Sequence, residues 1–212
     1  MGSGKYKISI VFKMVMIVAG IIGILGQFGA FSGNFNVYML NFFTVLSNLV
    51  LVIYFVVDVI WMLMHKERAQ SGENLCPVLK GMVTASIMIT FLVALFVLHM
   101  GLDMSTSMGR SFLAVHYIVP VMALLDWLIF DAKREIGRYE PLIWYIEPFV
   151  YMIYDLTTAG LRTGSGNPYI YPFMDVGKMG AGKVSLAIMI LTVIYLLTTY
   201  LIRIVNKRIV KK

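Results

Sequence analysis

The sequence predicts an all-α fold: one polytopic membrane domain over residues 1–212, built as a six-transmembrane-helix bundle. Three observations carry the prediction. Hydrophobic residues make up 59% of the chain against 14% charged, and mean hydropathy is +0.83, which is more apolar than a soluble domain of this length. Six apolar runs each reach about 20 residues, enough at about 1.5 Å per residue to cross about 30 Å of hydrocarbon. The connections between them are mostly short and leave no room for a soluble domain.

The runs lie near residues 8–31, 39–64, 79–100, 111–130, 141–160 and 183–204. The first follows a basic flank at Lys5 and Lys7 and is too long for a signal-peptide core, so no cleavable signal is expected. Gly20, Gly23, Gly26 and Gly29 recur along it and are expected to admit a neighbouring helix closely. The second opens with Asn41, Thr44, Ser47 and Asn48, hydrogen-bonding side chains that are costly in lipid. At spacings of i, i+3 and i+7, Asn41, Thr44 and Asn48 share one face of a helix. The fourth run carries His116 in an otherwise apolar stretch that ends at Pro120, and the fifth carries Glu147 and Asp155. The connection over residues 161–182 is the longest, rich in glycine, with tyrosines and Pro172 suited to an interface or to capping a site.

The charge pattern predicts the orientation. With a cytoplasmic amino terminus, fourteen of the 18 Lys and Arg residues lie on the inner side, leaving Arg110, Arg162, Lys178 and Lys183 outside. An even helix count then places both termini in the cytoplasm, and topology accounts for the net charge of +7. Nucleic-acid binding is not expected, because no basic stripe is interleaved with exposed aromatics. Asp58 and Asp126 are expected to make interfacial or interhelical pairs with the basic inner loops. Neither a metal nor a cofactor is expected: Cys76 is the single cysteine, the three histidines are dispersed, and the 16 methionines read as adaptable packing. The stretch Gly177–Val184 imitates a phosphate loop, but Val184 stands where a magnesium-binding hydroxyl belongs.

Orientation also brings two polar residues to one depth. The second and fourth helices both run inward, so Thr44 and His116 each sit about five residues, roughly 7–8 Å, below the outer boundary. A threonine hydroxyl beside a neutral imidazole is a candidate nucleophile with its general base, since the free hydroxyl is too weak an acid to attack unaided. The structural alternative is that Thr44 bonds its own helix and His116 is a satisfied packing residue. Asn41, Ser47 and Asn48 are candidates either for oxyanion binding or for interhelical hydrogen bonds.

The threonine-bearing start of the second helix, the stretch from His116 to Pro120 with Asp126-Trp127 beyond it, and Tyr169-Ile170-Tyr171-Pro172-Phe173-Met174-Asp175 before the last helix resemble the androgen-induced and androgen-dependent membrane protein family, more closely its bacterial six-helix relatives. The resemblance spans most of the chain. It implies a multi-pass protein of a bacterial cell membrane that hydrolyses fatty acid esters of hydroxy fatty acids, with Thr44 and His116 in the roles of the family's essential threonine and histidine. Its partner is then a membrane lipid, a fatty acyl ester. Asp155 is the candidate for a group that orients the histidine, and Tyr171 is a candidate substrate or oxyanion contact. Two readings from other classes compete. A bis-histidine haem protein would use His99 and His116, and a transporter or binding protein would use the same polar face, although no internal repeat supports the latter.

Overall fold

The computed structural model describes residues 2–98, 103–131, 134–165 and 168–210, and these are helical, with no strand among them. The principal elements are α1 (Ser3–Gln27), α2 (Phe43–Met64), a short α3 (Lys66–Ser71), α4 (Pro77–Val93), α5 (Ser107–Leu113), α6 (Val119–Ile129), α7 (Glu140–Trp144), α8 (Ile146–Thr158), α9 (Val176–Met179) and α10 (Ala181–Val210). A π-helical turn, Ala114–Ile118, joins α5 to α6 in one continuous rod, and another, Ala94–Leu98, extends α4. Among the described residues, five helices are long and apolar enough to cross a membrane: Ser3–Gln27, Phe43–Met64, Pro77–Phe96, Ser107–Ile129 and Ala181–Val210. They are consistent with an integral multi-pass protein, and α1 and α10 expose large apolar side chains such as Val11, Val15, Ile22, Met189, Leu197 and Leu201 along their length. His99 lies outside the described residues.

The run at 141–160 departs from the expected single helix. It is divided into α7 and α8 at Tyr145 and ends at Thr158, after which Ala159–Ser165 winds as a tighter 3-10 segment. Pro148 explains the division. It has no N–H to return to the Trp144 carbonyl, and its ring crowds that oxygen. The released Trp144 carbonyl is taken by the Tyr195 hydroxyl of α10 at 2.7 Å, so the break is satisfied from across the bundle. The second helix also begins later than expected. Val37–Asn41 forms a 3-10 turn, Phe42 is extended at ψ 133°, and α2 starts at Phe43, so Asn41 does not share a helical face with Thr44 and Asn48.

The inner core forms where α1, α2, α4 and α6 meet around Met16, Leu51, Phe55, Val83, Ile87 and Val119. The glycines of α1 make this approach possible. A Cβ built on Gly20 would meet Val52 at 2.6 Å, on Gly23 Val115 at 2.7 Å, and on Gly26 Ser111 at 2.4 Å. Gly29 has a different function: it lies beyond the helix with φ +77°, in a turn where a Cβ would stand 2.3 Å from the Asn34 carbonyl. Gly23→Val is therefore expected to destabilise the protein by about 1–3 kcal/mol through overpacking, read as a lowered thermal transition in detergent.

Toward the C-terminal end of α2, Lys13 Nζ lies 2.9 Å from both Asp58 and Asp126, and Lys80 Nζ lies 2.8 Å from Asp126 and 2.6 Å from Asp131. All four distances lie within one buried network, over which Phe55 offers its ring to Lys13 at 4.8 Å. Asp58 and Asp126 thus pair with lysines carried by α1 and α4 rather than with the inner loops. A charge held in the bundle cannot reach loop cations without leaving water-free surroundings, and its neighbours on the packed helices supply the counter-ions instead.

Candidate active site

Where α2 begins, it and the α5–α6 rod bring Thr44 and His116 into contact: Thr44 Oγ1 lies 3.1 Å from His116 Nε2. Pro120 prepares this geometry. It cannot donate to the His116 carbonyl four residues back, and its ring crowds that carbonyl, and directly before it the helix loosens into the π-turn Ala114–Ile118, in which the Val119 amide reaches back five residues to Ala114. Such turns displace a side chain from its ordinary helical position. His116 is buried, with its ring stacked on Phe112 at a centroid separation of 3.9 Å.

The hydrogen bonds assign the tautomer. His116 Nδ1 lies 3.1 Å from the Phe112 carbonyl, which only accepts, so Nδ1 carries the proton and donates. In the neutral imidazole Nε2 is then the acceptor, and the Thr44 hydroxyl donates to it. This is the arrangement a general base needs to draw a proton from a hydroxyl nucleophile. The Phe112 carbonyl occupies the orienting position for which Asp155 is the sequence candidate. Asp155 instead pairs with Arg162 and accepts from the Ile170 amide at 3.4 Å.

The other polar residues of α2 build the frame. Asn48 Nδ2 donates to the Thr44 carbonyl at 2.7 Å and to the Val115 carbonyl at 3.1 Å, tying α2 to the turn that carries His116. Ser47 Oγ donates to the Thr44 carbonyl at 3.2 Å and lies 3.2 Å from Thr90 Oγ1 on α4. Asn41 fastens the preceding turn: its carbonyl accepts from the Tyr151 hydroxyl at 2.8 Å, and its side-chain oxygen accepts from the Tyr154 hydroxyl. These three side chains thus hold helices together around the pair rather than facing the Thr44 hydroxyl.

Tyr171 does face it. Burial pushes the Tyr171 hydroxyl up to about 12, opposed by the Phe43 amide and the Thr44 and Tyr151 hydroxyls beside it, so at neutral pH it is a protonated donor at the nucleophile. The Phe43 amide and the Tyr151 hydroxyl are functional neighbours that sequence reasoning missed. Phe43 acts through its backbone, which leaves no residue signature, and Tyr151 is one tyrosine among 12.

Thr44 also opens onto a cavity of about 740 Å³, including the space at its mouth, bounded by α2, α4, α8, α10 and the segment around Tyr171. Ile89, Val93, Met152, Met174, Ile188 and Leu191 give it a mainly apolar wall, and the Tyr145 and Thr192 hydroxyls, 2.6 Å apart, satisfy each other on its side. Its apolar lining suits an apolar ligand presenting one polar group to Thr44. His116 approaches Thr44 from outside the cavity lining, leaving the hydroxyl between base and ligand space. No family model, curated protein or solved structure matches the chain.

Proposed function

We propose that the protein is an intramembrane lipid ester hydrolase, a bacterial relative of the androgen-induced and androgen-dependent membrane proteins, with Thr44 as nucleophile and His116 as general base. The observation that carries the reading is the 3.1 Å contact between Thr44 Oγ1 and His116 Nε2 at the entrance of an apolar cavity. In this reading α7 and α8 together make the sixth pass, both termini are cytoplasmic, and the site opens toward the outer leaflet of a bacterial cell membrane. The substrate is a fatty acyl ester of the type formed by hydroxy fatty acids, its acyl chain lying in the cavity.

In this reading the reaction runs in two halves. Thr44 Oγ1 attacks the ester carbonyl carbon while His116 Nε2 accepts the hydroxyl proton, forming a tetrahedral oxyanion. Collapse breaks the bond to the alkoxide, which takes the proton from Nε2 and departs as the alcohol, leaving an acyl ester on Thr44. Water then attacks this ester as Nε2 takes its proton. The second collapse releases the fatty acid and returns the proton to Thr44 Oγ1. Throughout, the proton on Nδ1 stays hydrogen-bonded to the Phe112 carbonyl and holds the ring in register.

The test is covalent labelling of purified protein in detergent with an alkyl fluorophosphonate, with the modified residue located by mass spectrometry, alongside turnover of fatty acyl ester substrates. The expected adduct is on Thr44, with label and turnover both absent from Thr44→Ala. Full ester turnover by folded Thr44→Ala would falsify the reading.

A further inference from the structure

We infer that the Tyr171 hydroxyl and the Phe43 amide form the oxyanion site, and that the buried Asp155–Arg162 pair is the clamp that holds Tyr171 there; the inference rests on the hydrolase reading above. The Phe42 carbonyl accepts from the Val45 and Leu46 amides at 3.0 and 3.1 Å, so the first intrahelical bonds of α2 begin beyond Phe43. Phe43 is the first residue of a 22-residue helix, and an amide at that position has no intrahelical acceptor. It points instead at the Tyr171 and Tyr151 hydroxyls. The Tyr151 proton is committed to the Asn41 carbonyl at 2.8 Å, which leaves the Tyr171 proton as the mobile donor. A carbonyl oxygen entering beside Thr44 therefore meets a phenol donor, a backbone donor and the positive end of the α2 dipole.

Tyr171 belongs to the connection between α8 and α9, and such a segment needs anchoring to act as a fixed donor. Asp155 is completely buried on α8. Its carboxylate receives the Arg162 guanidinium and the amide of Ile170, the residue adjoining Tyr171. Arg162 in turn donates to the Pro168 carbonyl at 2.8 Å, the Thr158 hydroxyl at 2.6 Å and the Asp155 carbonyl at 2.8 Å. One ion pair thus fastens both Pro168 and Ile170 to α8. On the other side, Tyr171 is set by its edge contact with Phe42, centroids 6.0 Å apart, and by stacking on Phe173 at 5.1 Å. Asp155 is accordingly a positioning residue acting through Tyr171, and Tyr171 is the group that touches the reacting oxygen.

In the reaction, the tetrahedral oxyanion accepts hydrogen bonds from Tyr171 Oη and the Phe43 amide. No proton leaves either donor, and both bonds weaken as the carbonyl reforms. The test uses the full protein in detergent and a fatty acyl nitrophenyl ester. Tyr171→Phe is expected to lower kcat about 10²–10³-fold, the loss typical of one oxyanion donor, with KM nearly unchanged. An alkyl trifluoromethyl ketone, which forms a tetrahedral adduct with the nucleophile, should lose affinity by the same factor as kcat/KM. Asp155→Asn, or Arg162→Gln if the first does not fold, should lower kcat in the native background yet add almost nothing to Tyr171→Phe, because both act through one donor. Wild-type-like kcat in Tyr171→Phe, or unaltered ketone affinity beside reduced kcat, overturns the oxyanion assignment while Thr44-dependent turnover keeps the hydrolase reading standing. A clamp variant whose loss multiplies fully with that of Tyr171→Phe overturns the clamp. Absence of any Thr44-dependent turnover sinks the hydrolase reading and the oxyanion site with it.

Discussion

His116→Ala is expected to lower ester turnover at least about 10³-fold, at the strong end of what general acid–base catalysis contributes, while the protein remains folded. In the proposed reaction the imidazole takes the Thr44 proton during attack and returns it to the departing alkoxide. Without it, the Thr44 hydroxyl has no base to take its proton. The structural loss is smaller: one ring stacked on Phe112 and the hydrogen bond from Nδ1. Steady-state turnover and a thermal transition measured on the same preparation separate the two effects. A transition close to wild type beside absent turnover identifies a catalytic role, and turnover within about tenfold of wild type excludes His116 as the base.

Lys13→Met is expected to destabilise the protein by about 3–5 kcal/mol, the cost of breaking a buried ion pair from one side. Lys13 holds two carboxylates, Asp58 and Asp126, at 2.9 Å each, in a region where all three side chains are almost completely shielded. Removing the ammonium leaves Asp58 without its lysine and Asp126 with Lys80 alone. Adding Asp58→Asn to Lys13→Met should recover part of the loss, because a neutral amide replaces an uncompensated charge. Reversible unfolding in mixed micelles measures both variants. A penalty for Lys13→Met below about 1 kcal/mol, the worth of a surface pair, would show that the network is not held away from water.

The long apolar runs and the shared depth of Thr44 and His116 were legible from residue order. Depth along a membrane helix follows from a fixed rise per residue once the direction is known, so equal offsets from the expected outer boundary made a contact possible, and the structure places Thr44 Oγ1 3.1 Å from His116 Nε2. Residue order also marked Pro120 and Pro148, yet their consequences differ. The missing donor at Pro120 leads to a π-turn that keeps one rod continuous, whereas Pro148 divides α7 from α8. What separates the two outcomes is the neighbouring element: the Tyr195 hydroxyl is positioned to donate a hydrogen bond to the freed Trp144 carbonyl.

The azimuth of each helix was not legible. Asn41, Ser47 and Asn48 have the composition of an oxyanion site, but rotation and the late start of α2 turn them toward α8, α4 and the π-turn. Asp155 has the depth to serve a histidine, but the return of the chain after α8 brings Arg162 and the Ile170 amide to it first. Apolar composition by itself determined that this chain is helical, with helices long and apolar enough to cross a bilayer, where every backbone donor must be satisfied within its own segment. Tertiary structure alone decided that Tyr171, more than a hundred residues from Thr44 in sequence, faces the same hydroxyl at the mouth of an apolar cavity, because which side chains meet depends on helix rotation and on the path of a connection, and neither is written in hydropathy.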